Sequence, residues 1–412
     1  MKISFIQPSR NNLKYLKWSY DAIRKNQGDH TVQICVADDA STDGTWEWCQ
    51  ERMKNDEHFS AILNDTGKRQ GHTILYDRLV NEVAEHDVCM IYHADMYLCP
   101  GALDAIEKHM YQTRTLLSDP PQERLVPNEK TIVSLTRIEP PLHPDGPEKI
   151  LWDGGVEPEE FKEAELLSNL SEFTQQDKTT EGIFAPWAFW KSDFQEIGGH
   201  DPLYAPQSKE DSDIFNRFHL NGVKFVQTWE GFVYHMTCRG SRRNTADKAT
   251  SIYQDSPEWL EQNKRSTRNF IRKWGHFVAH DTLMKPIVPP KYDIGFKING
   301  GNSQLLEALE PWCSTILLDD EMQVITTHYL DKEQKNTIID LSKKIKSTPF
   351  DTLENEIIVT IDSKKFTQQD FSLIQQLTQI IQDSGSVGEF QIGNLHLKIN
   401  KMTEYQKDLI RL

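Results

Sequence analysis

Short apolar runs alternate with helical patterns along residues 1–112. Four β-prone runs predict strands, and they lie at 3–6, 32–37, 60–63 and 88–92. The segments between these runs place apolar residues at helical spacing, and the segment after Gly101 does the same. Such an alternation is typical of a parallel sheet with helices on both faces. The chain therefore opens with a predicted α/β domain.

Two of the predicted strands end in acidic residues. Asp38 and Asp39 follow the second strand, and Asp95 follows the fourth. Because the carboxyl ends of parallel strands meet at one edge of a sheet, we expect these carboxylates to lie close together. A carboxylate in that position can hold a divalent cation, which in turn can hold a diphosphate. Turn formation and helix capping are the alternative roles of these residues.

Residues 131–240 contain a second group of candidate strands. Strand-like runs lie at 131–135, 183–190, 223–226 and 233–235. Glu210 and Asp211 open an amphipathic helix, and His235 ends the last run. For Asp211 capping is the alternative, because the helix dipole favours an acid in the first turn. For His235 the alternative is a strand-end histidine with satisfied hydrogen bonds.

Composition narrows the class of protein. A length of 412 residues predicts two or three domains, and a net charge of −16 argues against non-specific nucleic-acid binding. The six cysteines form no CxxC pair, which favours reduced thiols. No apolar run approaches the ~20 residues of a membrane span. Since the chain opens with a strand and not with a signal peptide, we expect a cytoplasmic protein without a membrane span.

Three segments resemble family-2 glycosyltransferases, which have the GT-A fold. The segment ICVADDASTDGT resembles their second-strand signature, Asp-Asp-x-Ser-x-Asp-x-Thr. The opening MKISFIQPSRN resembles their first strand, and HADMYLCP resembles their Asp-x-Asp segment. The resemblance covers about residues 1–240. It implies an α/β fold of GT-A type, with a Rossmann-like, mostly parallel sheet flanked by helices.

The resemblance also implies roles for individual residues. Asp38 or Asp39 would contact the base or ribose of a nucleotide-sugar donor. Asp95 would hold a divalent metal, Mn²⁺ or Mg²⁺, and His93 stands where the family has its first acid. Asp211 would be the catalytic base, and His235 a metal or diphosphate ligand.

Further donor-binding residues are predicted around these positions. At the spacing of the family's Arg-Asn pair the chain has His72-Thr73, preceded by Lys68 and Arg69. Arg239 can clamp a diphosphate or lie in a solvated loop. The other predicted nucleotide- or sugar-binding residues are Pro8, Ser9, Arg10, Ala94 and Glu210.

The predicted domains are a glycosyltransferase domain over 1–286 and an accessory domain over 291–412. Within the first, the nucleotide-binding half spans about 1–112 and the acceptor and catalytic half about 131–240. Ile287-Val288-Pro289-Pro290 is the predicted linker. In the tail, the apolar pattern predicts a strand over 357–361, a helix over 367–382 and a strand or hairpin over 390–399. The tail is interpreted as a small α+β domain of unknown function, and one role for it is to join copies of the chain into a homo-oligomer.

The sequence thus predicts a metal-dependent enzyme that transfers a hexose from a nucleotide-diphospho-sugar to a carbohydrate hydroxyl of a glycan or glycoconjugate. A UDP-linked donor and inversion at the sugar are expected. The alternative is a non-catalytic nucleotide- or glycan-binding protein on the same fold. A nucleotidyltransferase would need a glycine-rich basic loop after the first strand, which residues 7–12 lack.

Overall fold

The computed structural model describes residues 1–116, 122–237, 255–348 and 352–411. By its contacts the chain divides into two compact units. The first comprises Met1–Leu260 and His280–Ile287, and the second comprises Glu261–Ala279 and Val288–Arg411. The division after residue 287 falls in the predicted linker, whereas 261–279 group with the second unit. The functional domains 1–286 and 291–412 stay predictions.

The first unit is built on one large mixed sheet and a separate hairpin. Its strands are β1 Lys2–Ser9, β2 Thr31–Asp38, β3 Phe59–Leu63, β4 Val88–Ile91, β5 Met96–Leu98, β6 Tyr111–Leu116, β7 Gln122–Pro127, β8 Thr131–Glu139, β9 Lys149–Leu151, β10 Thr179–Thr180, β11 Trp187–Trp190 and β12 Lys224–His235. The helices are α1 Leu13–Asn26, α2 Thr45–Asn55, α3 His72–Arg78, α4 Ala102–Met110, α5 Glu163–Phe173, α6 Lys191–Glu196, α7 Glu210–Leu220 and α8 Pro257–Trp274, the last of which continues into the second unit.

The order of the large sheet is β10-β12-β8-β11-β4-β1-β2-β3, with β5 on β12 and β9 on β8. Strands β1 to β4 are parallel, and β11 lies antiparallel between β4 and β8. The predicted α/β fold class, a mostly parallel sheet flanked by helices, is confirmed. The register pairs Ser9 with Asp38, so the polar ends of β1 and β2 lie side by side.

Two predicted strands differ from the structure in an informative way. The run at 183–190 forms a strand only over β11, because Pro186 has no N–H to donate to a ladder. The runs at 223–226 and 233–235 are one strand, β12, whose register against β8 shifts between Thr228 and Phe232. At this shift a side chain on Gly231 would come within 2.8 Å of Ala105 and Leu135, so only glycine fits there.

The described cysteines agree with the predicted reduced state. Cys35, Cys49, Cys89, Cys99 and Cys313 are buried free thiols. Cys238 lies outside the described residues. Within the described ranges, no helix is both long and apolar enough to cross a membrane.

The second unit has its own sheet and core. Its strands are β13 Ile294–Asn299, β14 Thr315–Leu318, β15 Ile345–Ser347, β16 Ile357–Asp362, β17 Gly388–Ile392 and β18 Leu395–Ile399, and its helices are α9 Ser303–Leu309, α10 Gln323–Glu333, α11 Leu341–Lys344, α12 Gln368–Gln375 and α13 Leu377–Ser384. The sheet order is β15-β14-β13-β16-β18-β17. The first four of these strands are parallel, and β17 and β18 form an antiparallel hairpin. The predicted helix over 367–382 is two helices, α12 and α13.

Candidate active site

Polar side chains line a cavity of about 460 Å³ at the carboxyl edge of the large sheet, within the first unit. They come from the loops after β1, β2 and β4, from the ends of β8 and β12, and from the start of α7. Among them are Asp39, Asp95, Asp211 and His235. The strand ends of distant segments therefore meet, as expected for an open parallel sheet.

Two loops at this edge hold each other in place. Asn11 accepts a hydrogen bond from the backbone N–H of Thr42 at 2.7 Å, and the Asn11 N–H donates to Ser41 Oγ at 2.9 Å. Asp43 accepts from the N–H of Leu13 at 2.9 Å, at the start of α1. Asn12 is the N-cap residue of α1 but makes no side-chain capping bond. Asp43 on the neighbouring loop supplies the acceptor instead.

The two acids at the end of β2 have different surroundings. Asp39 lines the cavity, and its carboxylate accepts hydrogen bonds from Asn64 Nδ2 and from the N–H groups of Gln70 and Gly71 at 2.7–2.9 Å. Asp38 does not line it; its Oδ1 accepts from the Ser41 N–H at 3.1 Å, and burial raises its pKa. Asp39 thus orders the loop that leads into α3, and Asp38 orders the turn after β2.

Cationic side chains enter the same cavity near Asp39. Arg10 and Arg69 both line it, and Arg69 Nη2 donates to Gln207 Oε1 at 2.5 Å. Burial and the nearby charge of Arg10 lower the pKa of Arg69. Two guanidinium groups that line the same cavity form a favourable site for a multiply charged anion.

His93, Asp95 and His235 form a group that can hold a metal ion. One ligand atom from each lies within 4.8 Å of the others. Asp95 and His235 are buried, and His235 Nε2 lies 3.5 Å from Asp95 Oδ1. Two imidazole nitrogens and a carboxylate oxygen fit a first-row transition-metal ion such as Mn²⁺.

A buried carboxylate, that of Glu139, contacts the Nδ1 side of the His235 ring. Its Oε1 lies 3.0 Å from His235 Nδ1, and it also pairs with Arg137 at 2.8 Å and Lys149 at 3.3 Å. Burial opposes ionisation of Glu139, but these cations lower its pKa far below the ordinary range. Burial likewise opposes the charge on His235, yet Asp95 and Glu139 raise its pKa to about 9. A carboxylate that holds the second nitrogen of a metal-binding histidine is a common supporting contact.

Glu210 and Asp211 lie together in the first turn of α7. Glu210 is buried, and burial together with the charge of Asp211 raises its pKa to about 8. Burial also raises the pKa of Asp211, and the charge of His200 opposes this rise. The residue at the N-cap is Lys209, and no side-chain capping bond is made there. The structure therefore gives no support to a capping role for Asp211.

Most of the predicted site residues come together in this cavity. Its lining includes Pro8, Ser9, Arg10, Asp39, His72, His93, Ala94, Asp95, Glu210, Asp211 and His235. Lys68 is exposed and does not line the cavity, where Arg69 lies instead, and Asp38 stays outside it. Arg239 lies outside the described residues.

Several lining residues were missed, most importantly Arg137, Glu139, Tyr76 and Trp259. Glu139 had a signal in the sequence, because it is an acid at the carboxyl end of a strand, like Asp38 and Asp95. The predicted strand stopped at Leu135, four residues short of the observed end of β8. Tyr76 and Trp259 lie on amphipathic helices, where an aromatic residue has no local signal for a site.

The fold is of the α/β class, with a polar cavity at the carboxyl edge of its mostly parallel sheet. Residues 4–161 match the family model "Glycosyl transferase family 2". This match, over part of the chain, confirms the resemblance to family-2 glycosyltransferases. No curated protein sequence matches the chain.

Three solved structures are similar at low identity. Mannosyltransferase PcManGT from Pyrobaculum calidifontis, in complex with GDP-Man and Mn²⁺, has 15% identity and a TM-score of 0.37 over 57% of this chain and 56% of that one. GalNAc-T7 with UDP, GalNAc and Mn²⁺ has 11% identity and a TM-score of 0.42, over 67% of this chain and 51% of that one. S. aureus TarS 1-349 in complex with UDP-GlcNAc has 14% identity and a TM-score of 0.36, over 58% of this chain and 61% of that one. The chain aligns with less than two thirds of the length of each.

Proposed function

We propose that this protein transfers a hexose from a UDP-linked donor to a hydroxyl group of a carbohydrate acceptor, with inversion and with a divalent metal. The observation that carries this proposal is the shared cavity. The base candidate Asp211 and the ligand group of His93, Asp95 and His235 line the same space of about 460 Å³. A cytoplasmic location and an assembly role for the second unit remain proposals beside it.

The nucleotide part of the donor is assigned to the edge formed by β1 and β2. Asp39 lines the cavity there, between the polar end of β1 and the loop before α3. A carboxylate at this position can accept hydrogen bonds from a base N–H or a ribose hydroxyl. Arg10 and Arg69 supply positive charge for the diphosphate.

His93, Asp95 and His235 are the residues that would hold the metal. Their nitrogen donors favour Mn²⁺ over Mg²⁺, which prefers oxygen ligands. When bound, the metal would offset the negative charge that develops on the diphosphate as it leaves. Glu139 fixes the ring of His235 through Nδ1, so that Nε2 stays directed toward Asp95.

Asp211 is the proposed general base. In an inverting transfer the acceptor oxygen bonds to the anomeric carbon while the bond from that carbon to the diphosphate breaks. The proton of the acceptor hydroxyl passes to Asp211. The carboxylate sits in the first turn of a helix that forms one wall of the cavity, which keeps it in place before the acceptor arrives.

Aromatic side chains suit the acceptor side. Phe184 and Trp259 line the cavity, and both are partly exposed. The guanidinium group of Arg137 lies 3.8 Å from the centre of the Phe184 ring. Flat apolar surfaces of this kind can pack against the carbon face of a sugar ring, while neighbouring charged groups bind its hydroxyls.

The test is a panel of sugar nucleotides incubated with the full chain and Mn²⁺, read out as released nucleoside diphosphate. We expect turnover with a UDP-sugar, and loss of turnover in Asp95→Ala with little change in melting temperature. UDP with Mn²⁺ should raise the melting temperature of the wild type by mass action. Absence of turnover and of any thermal shift across the panel would contradict the proposal.

A non-catalytic binding protein is the second candidate, because His93 stands where family-2 enzymes have an acid. The two proposals differ in the role of Asp211. Under the binding proposal UDP raises the melting temperature, no donor is turned over, and Asp211→Asn changes nothing. Metal-dependent turnover that Asp211→Asn abolishes would exclude it.

A further inference from the structure

Thr237 has a backbone conformation that is unusual for its residue type. Its φ is +57°, in the left-handed region, although threonine carries a side chain that branches at Cβ. For a branched residue this conformation is an outlier, because Cβ crowds the backbone there. It persists only where the surrounding structure imposes it, and residues of this kind cluster at ligand-binding and active sites.

Other left-handed residues lie around the same cavity. Among the described residues other than glycine, four more with positive φ belong to the cavity lining or adjoin a residue of it, and they are Asn11, Ala40, Ser208 and Lys209. The remaining three, Lys130, Asp177 and Met284, neither line the cavity nor adjoin its lining. The unfavourable backbone conformations are therefore concentrated where the strand ends meet.

The hydroxyl group of Thr237 is buried without a partner. The residue is 3% exposed, and its Oγ1 makes no hydrogen bond to any described residue. A buried polar atom normally has a hydrogen-bond partner, so an unpartnered one requires an explanation. Thr237 lines the cavity, and so do Ser9 and Glu210, of which Oγ and Oε2 are likewise unpartnered among the described residues. Three such oxygens around one cavity indicate a site for a polar ligand.

The chain places Thr237 beside the proposed metal group. It follows His235 by two residues, and two residues of fully extended chain span at most ~7 Å. The N–H of Met236, which lies between them, donates to the carbonyl oxygen of Asp95 at 3.0 Å. Thr237 is therefore tied both to the end of β12 and to the loop after β4, the two segments that carry Asp95 and His235.

We propose that Thr237 is a donor-binding residue, whose hydroxyl donates a hydrogen bond to an oxygen of the diphosphate. The inference rests on the proposed function, in which the metal group, Arg10 and Arg69 receive that diphosphate in the same cavity. A hydroxyl that donates to an anionic oxygen makes a charge-assisted hydrogen bond, which is stronger than one between neutral groups. The diphosphate would thus supply the partner that Oγ1 lacks within the fold, and the imposed backbone conformation holds the hydroxyl in place before the donor arrives.

Thr237→Val is the variant that tests this role, because valine has the shape of threonine and lacks only the hydroxyl. Both side chains branch at Cβ, so the cost of the left-handed backbone is carried over to the variant. Since the hydroxyl is buried without a partner, its removal should leave the melting temperature of the ligand-free protein equal or higher. A lower melting temperature would show that the hydroxyl makes a structural hydrogen bond, which contradicts the proposal.

Binding is measured by calorimetry on the full chain in the presence of Mn²⁺, with UDP, GDP and uridine as probes. We expect Thr237→Val to weaken the binding of UDP and of GDP by ~10-fold or more, as for a lost hydrogen bond to a charged group. Uridine, which has no phosphate, should not distinguish the variant from the wild type, and neither should Mn²⁺ alone. An unchanged affinity for UDP and GDP would overturn the proposal. An equal loss for uridine or for Mn²⁺ alone would overturn it too, because the hydroxyl would then serve the nucleoside or the metal.

Two further variants control for side effects of the substitution. Thr237→Ser keeps the hydroxyl and should bind UDP like the wild type, whereas a loss equal to that of Thr237→Val would contradict the proposal. Ser134→Ala is the matched control and should leave binding unchanged, because Ser134 Oγ is also buried and unpartnered among the described residues but Ser134 does not line the cavity.

The same measurements separate this inference from the proposed function. If the wild type binds UDP or GDP but turns over no UDP-sugar, the proposed function fails, while the comparison of Thr237→Val with Thr237→Ser still decides the role of the hydroxyl. If the wild type turns over a UDP-sugar and Thr237→Val binds UDP equally well, the inference alone fails. If the wild type binds neither diphosphate, both fail.

Discussion

Glu139 and His235 lie at the ends of adjacent parallel strands, with Oε1 of the first 3.0 Å from Nδ1 of the second. The other nitrogen of the same ring faces Asp95 at 3.5 Å. His235 is therefore held between two carboxylates, of which one belongs to the proposed metal group and the other supports it. This arrangement separates the metal ligands from the residue that orients them.

Glu139→Gln should weaken Mn²⁺ binding by ~10- to 100-fold, because a supporting carboxylate orients a metal-binding histidine and increases its basicity. The measurement is the Mn²⁺ concentration that gives half-maximal turnover. Glu148→Gln is the control, since Glu148 pairs with Arg137 at 3.5 Å but does not contact His235. An unchanged Mn²⁺ requirement in a folded Glu139→Gln variant would refute the supporting role.

Asp211→Asn should reduce transfer by ~10²-fold or more, because Asn has the size of Asp but cannot take a proton. Melting temperature and the UDP-induced shift should change little. In the wild type, since burial raises the pKa of Asp211, turnover should fall as pH drops through that raised pKa. A near wild-type rate for Asp211→Asn would remove it from the mechanism.

Glu210→Gln tests how much the ionisation of Glu210, next to Asp211, lowers the stability of the folded state. Burial and Asp211 raise the Glu210 pKa to about 8, so the folded state holds a proton there that the unfolded state releases at lower pH. Stability from this group is complete below the unfolded pKa and is lost as pH rises toward 8. Relative to wild type, Glu210→Gln should gain ~1 kcal/mol or more of unfolding free energy between pH 5 and pH 8.5.

The comparison is made by urea unfolding across this pH range. Glu51→Gln, on the exposed face of α2, is the control. A Glu210→Gln variant whose stability parallels the wild type at every pH would show that Glu210 is ionised in the fold.

The second unit contains a buried charge cluster that tests its stability. Arg272 is 1% exposed and contacts Glu310 at 2.6 Å and Glu333 at 2.5 Å, while Lys344 contacts Glu310 at 2.8 Å. Arg272→Ala should cost ~3–5 kcal/mol, because it leaves buried carboxylates short of a partner. Lys332→Ala, which removes an exposed contact of 3.5 Å to Glu307, should cost ~0.5 kcal/mol or less. If urea unfolding shows a similar loss of unfolding free energy for both variants, the buried cluster does not stabilise the second unit more than an exposed ion pair does.

The sequence predicted the parts of the site that carry local signals. Asp39, Asp95 and His235 end strands, and Asp211 opens a helix, so the topology of a parallel sheet was enough to bring them together. The pairing of Asp77 with His200 had no such signal, because it joins positions 123 apart, one on α3 and the other in the turn after α6. Arg69 lines the cavity although Lys68 was the predicted residue. Here too the sequence has no local signal, since the path of the loop backbone decides which of the two side chains enters the cavity.

In the tail, too, features without a local signal were not predicted from the sequence. Apolar periodicity identified its strands over 357–361 and 390–399, but not the four parallel strands of its sheet. Arg272, Glu310 and Glu333 have no local signal in the sequence that predicts their burial. They are buried because each satisfies another, and such a pairing appears only in three dimensions.

The register shift in β12 has a consequence for anyone who edits this chain. Between Thr228 and Phe232 the strand holds three residues that face no residue of β8. Because side chains alternate along a strand, this odd number sets which side chains stand beside Arg137 and Glu139. Removal of one of the three would exchange the sides of Tyr234 and His235. The backbone hydrogen bonds between β12 and β8 would persist, but a phenol would replace the imidazole next to Glu139. A deletion of one residue there would therefore remove a proposed metal ligand.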